Sequence, residues 1–315
     1  MEKLGEVQCT HPPVMIQLCV LLLLTLAPAS APTVSANEME PIAVEGVQQL
    51  VAYSEHIISG AKPSTPIGFE SLSALGVRTI LCVDGVAPDS GAAEKVGIAT
   101  IHIPLKYSQP TASQILDIVT AISREYKQHP IYIHCHKGKH RSAVAAAIAC
   151  IALGECTVEE AKERMLVSET SIGYTGLWNA VEVQKRIQPE ILEKHTKVFP
   201  SQVQPEELVD QMIDLENALD AFERIQIAHW KANKDKRTIA GAEIAGMMAD
   251  TFRVMNTDST TSKYPPLFQK ELIEAISVTS ALEEAILKTS KPEKLDSLLA
   301  KVEHSCISCH DAFRE

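Results

Sequence analysis

"IYIHCHKGKHRSAVAAA", Ile131 to Ala147, decides how the first half of this chain reads. An apolar, β-rich run ends at His134, an alanine-rich helical run begins near Arg141, and a short polar loop joins them. The loop runs Cys135, His136, Lys137, Gly138, Lys139, His140, Arg141, Ser142, with Gly138 where the chain must turn tightly. A short strand-to-helix loop gathers backbone N–H groups around one point, and the helix dipole reinforces them, so the loop can cradle an anion. The same amides stabilise a thiolate at Cys135. Arg141 offers a planar fork to two oxygens of a tetrahedral anion, a geometry lysine lacks. The hydroxyl of Ser142 can hydrogen-bond the sulfur and improve it as a leaving group. His136, Lys137, Lys139 and His140 read as a positive rim for an anionic substrate, or as solvated loop surface. A metal site on Cys135, His136 and His140 is disfavoured, because such closely spaced side chains point outward at different angles.

Outward from the loop, short β-rich runs alternate with helical stretches from Val44 to Ile187. Strands are expected at Val77–Val83, Ile98–Pro104 and Pro130–Cys135. Helices are expected at Phe69–Leu75, Asp89–Val96, Thr111–Gln128, Ser142–Ala152, Val158–Val167 and Leu177–Ile187. This alternation predicts an α/β domain with a largely parallel sheet over residues 37–188. The stretch Pro189–Glu207 breaks this pattern with three prolines, and residues 189–204 read as a linker. From 205 to 315 the strand signal vanishes. Leu208, Met212, Leu215, Leu219 and Phe222 make one apolar helical stripe. Further helices are expected near Thr238–Phe252, Phe268–Leu287 and through Leu295, Leu299 and Val302, the content of an antiparallel four-helix bundle.

The last helix carries "CISCH", Cys306 to His310, the spacing that attaches haem c. Two thiols one turn apart can each add to a vinyl group of one porphyrin, with His310 placed to ligate the iron. A zinc half-site would need two more ligands, with only His304 close, and a thioredoxin-like pair belongs after a strand rather than in a late helix.

Two resemblances follow from these residues. The H-C-x5-R-S run resembles the signature of cysteine-dependent phosphatases of the small dual-specificity type. It implies Cys135 as nucleophile, Arg141 as phosphate clamp and His134 as the residue that orients the loop from behind. Those enzymes place an aspartate on an upstream loop as proton donor. Here "IHIPLKYSQPT" reaches that region with Lys106 and Tyr107, and no carboxylate lies between Glu94 and Asp117. Asp84 and Asp89 are alternatives, with turn-forming and helix-capping roles explaining them equally well. "KLDSLLAKVEHSCISCHDAFRE", Lys294 to Glu315, resembles the last helix of the cytochrome c prime family. That implies thioethers at Cys306 and Cys309, His310 as proximal ligand, Arg314 beside it, and a distal face from Met212 or Leu215. Pairing into a homodimer is a further implication.

Residues 1–36 carry an apolar core from Val14 to Ala27, short of the ~20 residues of a membrane span, then small residues ending near Ala36. This reads as a cleaved export signal giving a periplasmic protein, with an N-terminal membrane anchor as the alternative. The net charge of −11 over 315 residues excludes ordinary nucleic-acid binding. The expected partners are a phosphorylated substrate or other oxyanion, and a redox partner. The whole predicts an exported haem protein with a phosphatase-like domain. The alternative is an electron-transfer cytochrome whose first domain only docks anions or partners.

Overall fold

The computed structural model describes residues 34–205, 207–230 and 237–313, with 237–240 described by backbone alone. Residues 1–36, read above as an export signal, lie almost wholly outside the described residues, as does Arg314. No described helix is long and apolar enough to cross a membrane.

The first part is a six-stranded sheet in the order β1-β2-β3-β6-β4-β5. Its strands are β1 (Ile42–Val44), β2 (Val47–Ala52), β3 (Ile57–Ala61), β4 (Thr79–Cys82), β5 (Ala99–His102) and β6 (Ile131–Cys135). The expected largely parallel sheet is instead mixed. β3, β6, β4 and β5 run parallel, while β1 and β2 add an antiparallel edge. The edge escapes a reading by period because Gln48 and Gln49 interrupt the apolar run and Gln49 takes a positive φ of 56°. β6 lies at the centre and is buried along its whole length, which is why it reads as a continuous apolar run rather than an alternating one.

Around the sheet lie α1 (Pro66–Ala74), α2 (Ser90–Lys95), α3 (Ala112–Ser123), α4 (Arg141–Leu153), α5 (Val158–Val167) and α6 (Thr175–Glu182). Capping boxes at Thr111/Gln114 and Thr157/Glu160 fix the starts of α3 and α5. Every residue of α4 from Arg141 to Ala152 is buried. Its alanines let neighbouring backbones approach closely, and Gly154 closes it in the left-handed conformation.

The proline-rich stretch after Ile187 is more than a tether. It contains α7 (Pro189–Lys194), and the chain beyond it is pinned to the sheet domain. Asp117 on α3 accepts from His195 Nε2 at 2.7 Å and Lys197 Nζ at 2.6 Å. Pro200 O accepts from His102 N at 2.9 Å, extending the β5 edge. Four long helices follow: α8 (Leu208–Ile227), α9 (Arg237–Thr257), α10 (Pro266–Leu287) and α11 (Pro292–Phe313). α10 lies against α9 and α11, and α8 borders the same two. Phe222, Met248, Leu282, Leu299 and Val302 fill the space between them. These side chains belong to the same buried apolar cluster as Val119, Ile133 and Ile148 of the sheet domain.

Desolvation works to raise the Asp117 pKa, but the bonds from Lys197 and His195 lower it overall. The pinning is therefore present above the unfolded value of ~3.9 and lost as pH falls through the folded one. Asp117→Asn should cost about 1–3 kcal/mol and speed trypsin cleavage after Lys197 at neutral pH, with the difference from wild type shrinking in acid.

Candidate active site

β6 ends on Cys135 and α4 begins on Arg141, so the loop between them sits at the carboxyl end of the central strand. Gly138 has φ +73°, and a Cβ there would lie 2.3 Å from Ala61 N. Only glycine lets the loop press against the end of β3. The loop is held from both sides: Lys62 N donates to His136 O at 3.4 Å, and Thr170 Oγ1 to Lys139 O at 2.5 Å.

Cys135 is 3% exposed, and its Sγ lies 3.3 Å from Ser142 Oγ. Thiol and hydroxyl are thus brought together as the sequence suggests. His134 is buried behind them, its Nδ1 3.4 Å from Cys135 O, and burial pushes its pKa down to about 4. His140 packs against Tyr174 at 4.5 Å between ring centroids and hangs under Ser171 N at 3.4 Å. Burial first, then Arg141, pushes His140 down to about 3. His136 is also lowered, by desolvation and then by the charge of Arg253. The expected positive rim is therefore carried by Lys137 and Lys139 while both imidazoles are neutral at pH 7. Lys139 pairs with Glu169 at 2.5 Å.

Arg141 is the largest wholly buried side chain, at 0% exposure. Its Nη2 donates to Asp84 Oδ1 at 3.0 Å and to Tyr107 Oη at 3.2 Å, and its Nη1 to Leu105 O at 3.3 Å. Tyr107 also lies under the guanidinium, 4.3 Å from the ring centroid. The two terminal nitrogens further hold both oxygens of Asp250, a residue of α9. Arg253, one turn along α9, binds Asp250 and reaches Asp84 Oδ1 and Oδ2 at 3.2 Å. Arg141 Nε, by contrast, is buried with no partner among the described residues.

Asp84 is 0% exposed. Burial pushes its pKa up, but Arg141 and Arg253 overcome this and hold the carboxyl well below the usual carboxylate range. Asp84 therefore has no proton to give at neutral pH, and its role is to position Arg141. Asp89 caps α2 by accepting from Ala92 N at 2.9 Å. The loop after β5 presents Lys106 and Tyr107 to this region, and burial pushes the Tyr107 pKa up, keeping the phenol protonated.

Residues 55–155 match a family model described as "Polymorphic toxin system, DSP-PTPase phosphatase". The matched stretch runs from the turn before β3 through α4 and contains every group of the loop. No curated protein matches the chain. Among solved structures, a putative phosphatase from Shewanella putrefaciens CN-32 is 16% identical, with TM-score 0.38, covering 45% of this chain and 96% of its own. TpbA of P. aeruginosa, solved with pTyr, is 17% identical, with TM-score 0.37 and coverage of 47% and 99%. The catalytic core of the PP-IP phosphatase SIW14 from S. cerevisiae is 14% identical, with TM-score 0.39 and coverage of 48% and 93%. Each covers under half of this chain.

At the far end, Cys306 and Cys309 are free, half-buried thiols on α11. Burial raises both pKa values. Helical spacing puts Cys306, Cys309 and the exposed His310 on one side of α11. Two thiols and an adjacent imidazole on a half-buried face are a donor set that fits covalent haem. Met212 is half-buried on α8, and Leu215 is buried one turn on. Among the described residues no group of three His, Cys, Asp or Glu is placed to hold a bare metal ion.

The residues that sequence reading does not reach are Asp250, Arg253, Tyr174 and Glu283. Asp250 lies 109 positions from Arg141, and "DTFR" on α9 has the look of an ordinary i,i+3 surface pair. Asp84→Asn leaves two guanidiniums facing one carboxylate and should destabilise the protein by about 3–5 kcal/mol at pH 7, read from urea midpoints. Because the folded pKa of Asp84 is depressed, that stability is present above ~3.9 and lost at lower pH, so the two midpoints should converge in acid.

Proposed function

We propose that the sheet domain is a cysteine-dependent phosphatase that acts on phosphorylated substrates, fused to a haem-carrying four-helix bundle. The observation that carries the enzymatic half is Cys135 Sγ beside Ser142 Oγ, with Arg141 fixed at the start of α4. In this reading the Cys135 thiolate attacks phosphorus and the substrate oxygen leaves. Arg141 and the loop amides balance the charge on the phosphoryl oxygens. Water then breaks the sulfur–phosphorus bond, and Ser142 Oγ stabilises the departing thiolate.

Neither aspartate that the sequence offers as a proton donor is free to serve, since Asp84 is locked in its ion pairs and Asp89 is a helix cap. General acid help is worth roughly 10²–10⁴-fold, so the enzyme favours leaving groups that depart without a proton. The match of residues 55–155 to a phosphatase family model accords with a phosphorylated substrate. Activity on aryl phosphates should fall steeply as the leaving-group pKa rises, and Cys135→Ser should abolish it by at least 10³-fold. A shallow dependence on the leaving group would reveal a proton donor, and unchanged turnover in Cys135→Ser would overturn the reading.

For the helical half, Cys306 and Cys309 would hold the haem through thioethers and His310 would ligate it, with Met212 or Leu215 facing the other side. A bound haem supplies an iron that exchanges an electron or takes a diatomic gas. Cys306 and Cys309 are half-buried and His310 is exposed beside them, so the thiols would attach the group at the border of the helical core and His310 would be accessible to ligate it. Export fits both cofactor attachment and the apolar N-terminal segment. Val34 is buried against the sheet domain, which favours a cut at "ASA", Ala29–Ala31, over one after Ala36. Protein matured in a periplasm should show a c-type spectrum that survives acid–acetone extraction and is lost in Cys306→Ala/Cys309→Ala. A spectrum unchanged by CO would indicate a sixth ligand, with Met212 the residue to replace.

A further inference from the structure

We propose that the chain carries its own competitor for the phosphate site. Helix α9 seats the carboxylate of Asp250 on the Arg141 fork and so holds the phosphatase domain shut. The proposal rests on the phosphate-binding reading of the loop and adds its regulation.

The fork of a phosphate-clamping arginine presents its nitrogens to two oxygens of one group. Here both oxygens of Asp250 already take that place. The nucleophile beside it is 3% exposed and the arginine 0%, and the carboxylate of Asp250 occupies the nitrogens of Arg141 that a phosphoryl group would need. Nε of Arg141, buried and unpartnered among the described residues, is left as the donor that the carboxylate does not satisfy.

The rest of α9 is built to sit there. A Cβ at Gly246 would lie 3.3 Å from the Tyr107 ring and 2.8 Å from Glu283 Oε1, and one at Gly85 would lie 3.4 Å from Val254. Gly246, Asp250, Arg253 and Val254 share one helix face by their spacing of four, three and one. α10 adds a second carboxylate. Glu283 accepts from Tyr174 Oη and lies 3.9 Å from Lys137 Nζ, so it caps the rim as Asp250 caps the fork.

Charge balance makes the contact exclusive. Arg141 and Arg253 face Asp84 and Asp250, two positive against two negative. An arriving phosphate would leave that buried group heavily negative unless a carboxylate withdrew. When α9 lifts, Asp250 and Arg253 leave together, and Arg141 keeps Asp84 as its partner with the nitrogens that held Asp250 free for an anion. Both oxygens of Asp250 are taken up by guanidinium nitrogens, a placement that suits a competitor for the fork rather than an acid aimed at a leaving group.

The test uses the full chain with Asp250→Asn, which removes the charge, and Gly246→Val, which wedges α9 away from Tyr107 and leaves every charge in place. Three quantities are read: the rate of Cys135 alkylation by iodoacetamide, located by peptide mass spectrometry; the Kd for orthovanadate; and kcat/KM for an aryl phosphate. Each should improve at least tenfold in both variants, while Cys82 and Cys150, buried in the core, stay unreactive and certify the fold. Alkylation and vanadate affinity unchanged in both variants would overturn the masking, and a Cys135-dependent wild-type turnover in that case would leave the phosphatase reading intact. Faster alkylation and tighter vanadate binding without turnover in any form would uphold the masking and reject the phosphatase reading. A fall in kcat in Asp250→Asn, with a steeper leaving-group dependence, would make Asp250 a catalytic acid and also overturn the proposal.

Discussion

The structure depends on one buried group of charges. Arg141 must be inside, because the start of α4 is the only place from which its fork can serve the loop, and a buried guanidinium is tolerable only with close partners. Asp84 supplies one partner from the end of β4, and α9 supplies the other together with a second arginine. The sheet domain and the helical region are therefore joined by ionic geometry as well as by apolar contact. Tyr107 fills the remaining face of the guanidinium, in the place where a proton-donating loop would be expected to carry its acid.

Asp84 is tied in a second way. His102 has both ring nitrogens engaged: Nδ1 accepts from Val203 N at 3.0 Å, which leaves Nε2–H to donate to Asp84 O at 2.8 Å. Burial lowers its pKa, against the pull of that carbonyl, and the neutral ring acts as a rigid spacer between β4 and the chain that leads to α8. Backbone, carboxylate and exit segment are thus set by one another.

Much of this was legible in the residues. The loop from Cys135 to Ser142, its flanking strand and helix, and the four late helices all follow from local pattern, because a buried central strand and amphipathic helices write their periods into short windows. β1 and β2 did not, because two glutamines and a bulge erase the alternation that marks an edge hairpin. The lowered histidine pKa values were out of reach as well, since His140 owes its state first to burial, in a place where it packs on Tyr174, more than thirty positions away. Asp250 and Arg253 were the least accessible. Nothing in an i,i+3 acid–base pair distinguishes one that faces water from one that faces a buried arginine, and the difference lies wholly in how α9 docks.

The segment pinned by Asp117, from His195 to Phe199, has a bearing on how substrate would be sensed. It holds the chain on α3, and Pro200 and Val203 then hold it on His102 of β5 shortly before α8 begins, so the helical region is tethered by a short, partly fixed connection. For short tethers the effective concentration of a tethered group near its site is on the order of millimolar. A free phosphorylated ligand then competes with a carboxylate that never diffuses away, and its apparent affinity is scaled down by the fraction of molecules in which α9 has lifted. Anything that changes how firmly α9 rests on α10 and α8 changes that fraction, so the dose of substrate needed for a response becomes a property of the helical region rather than of the loop that binds it.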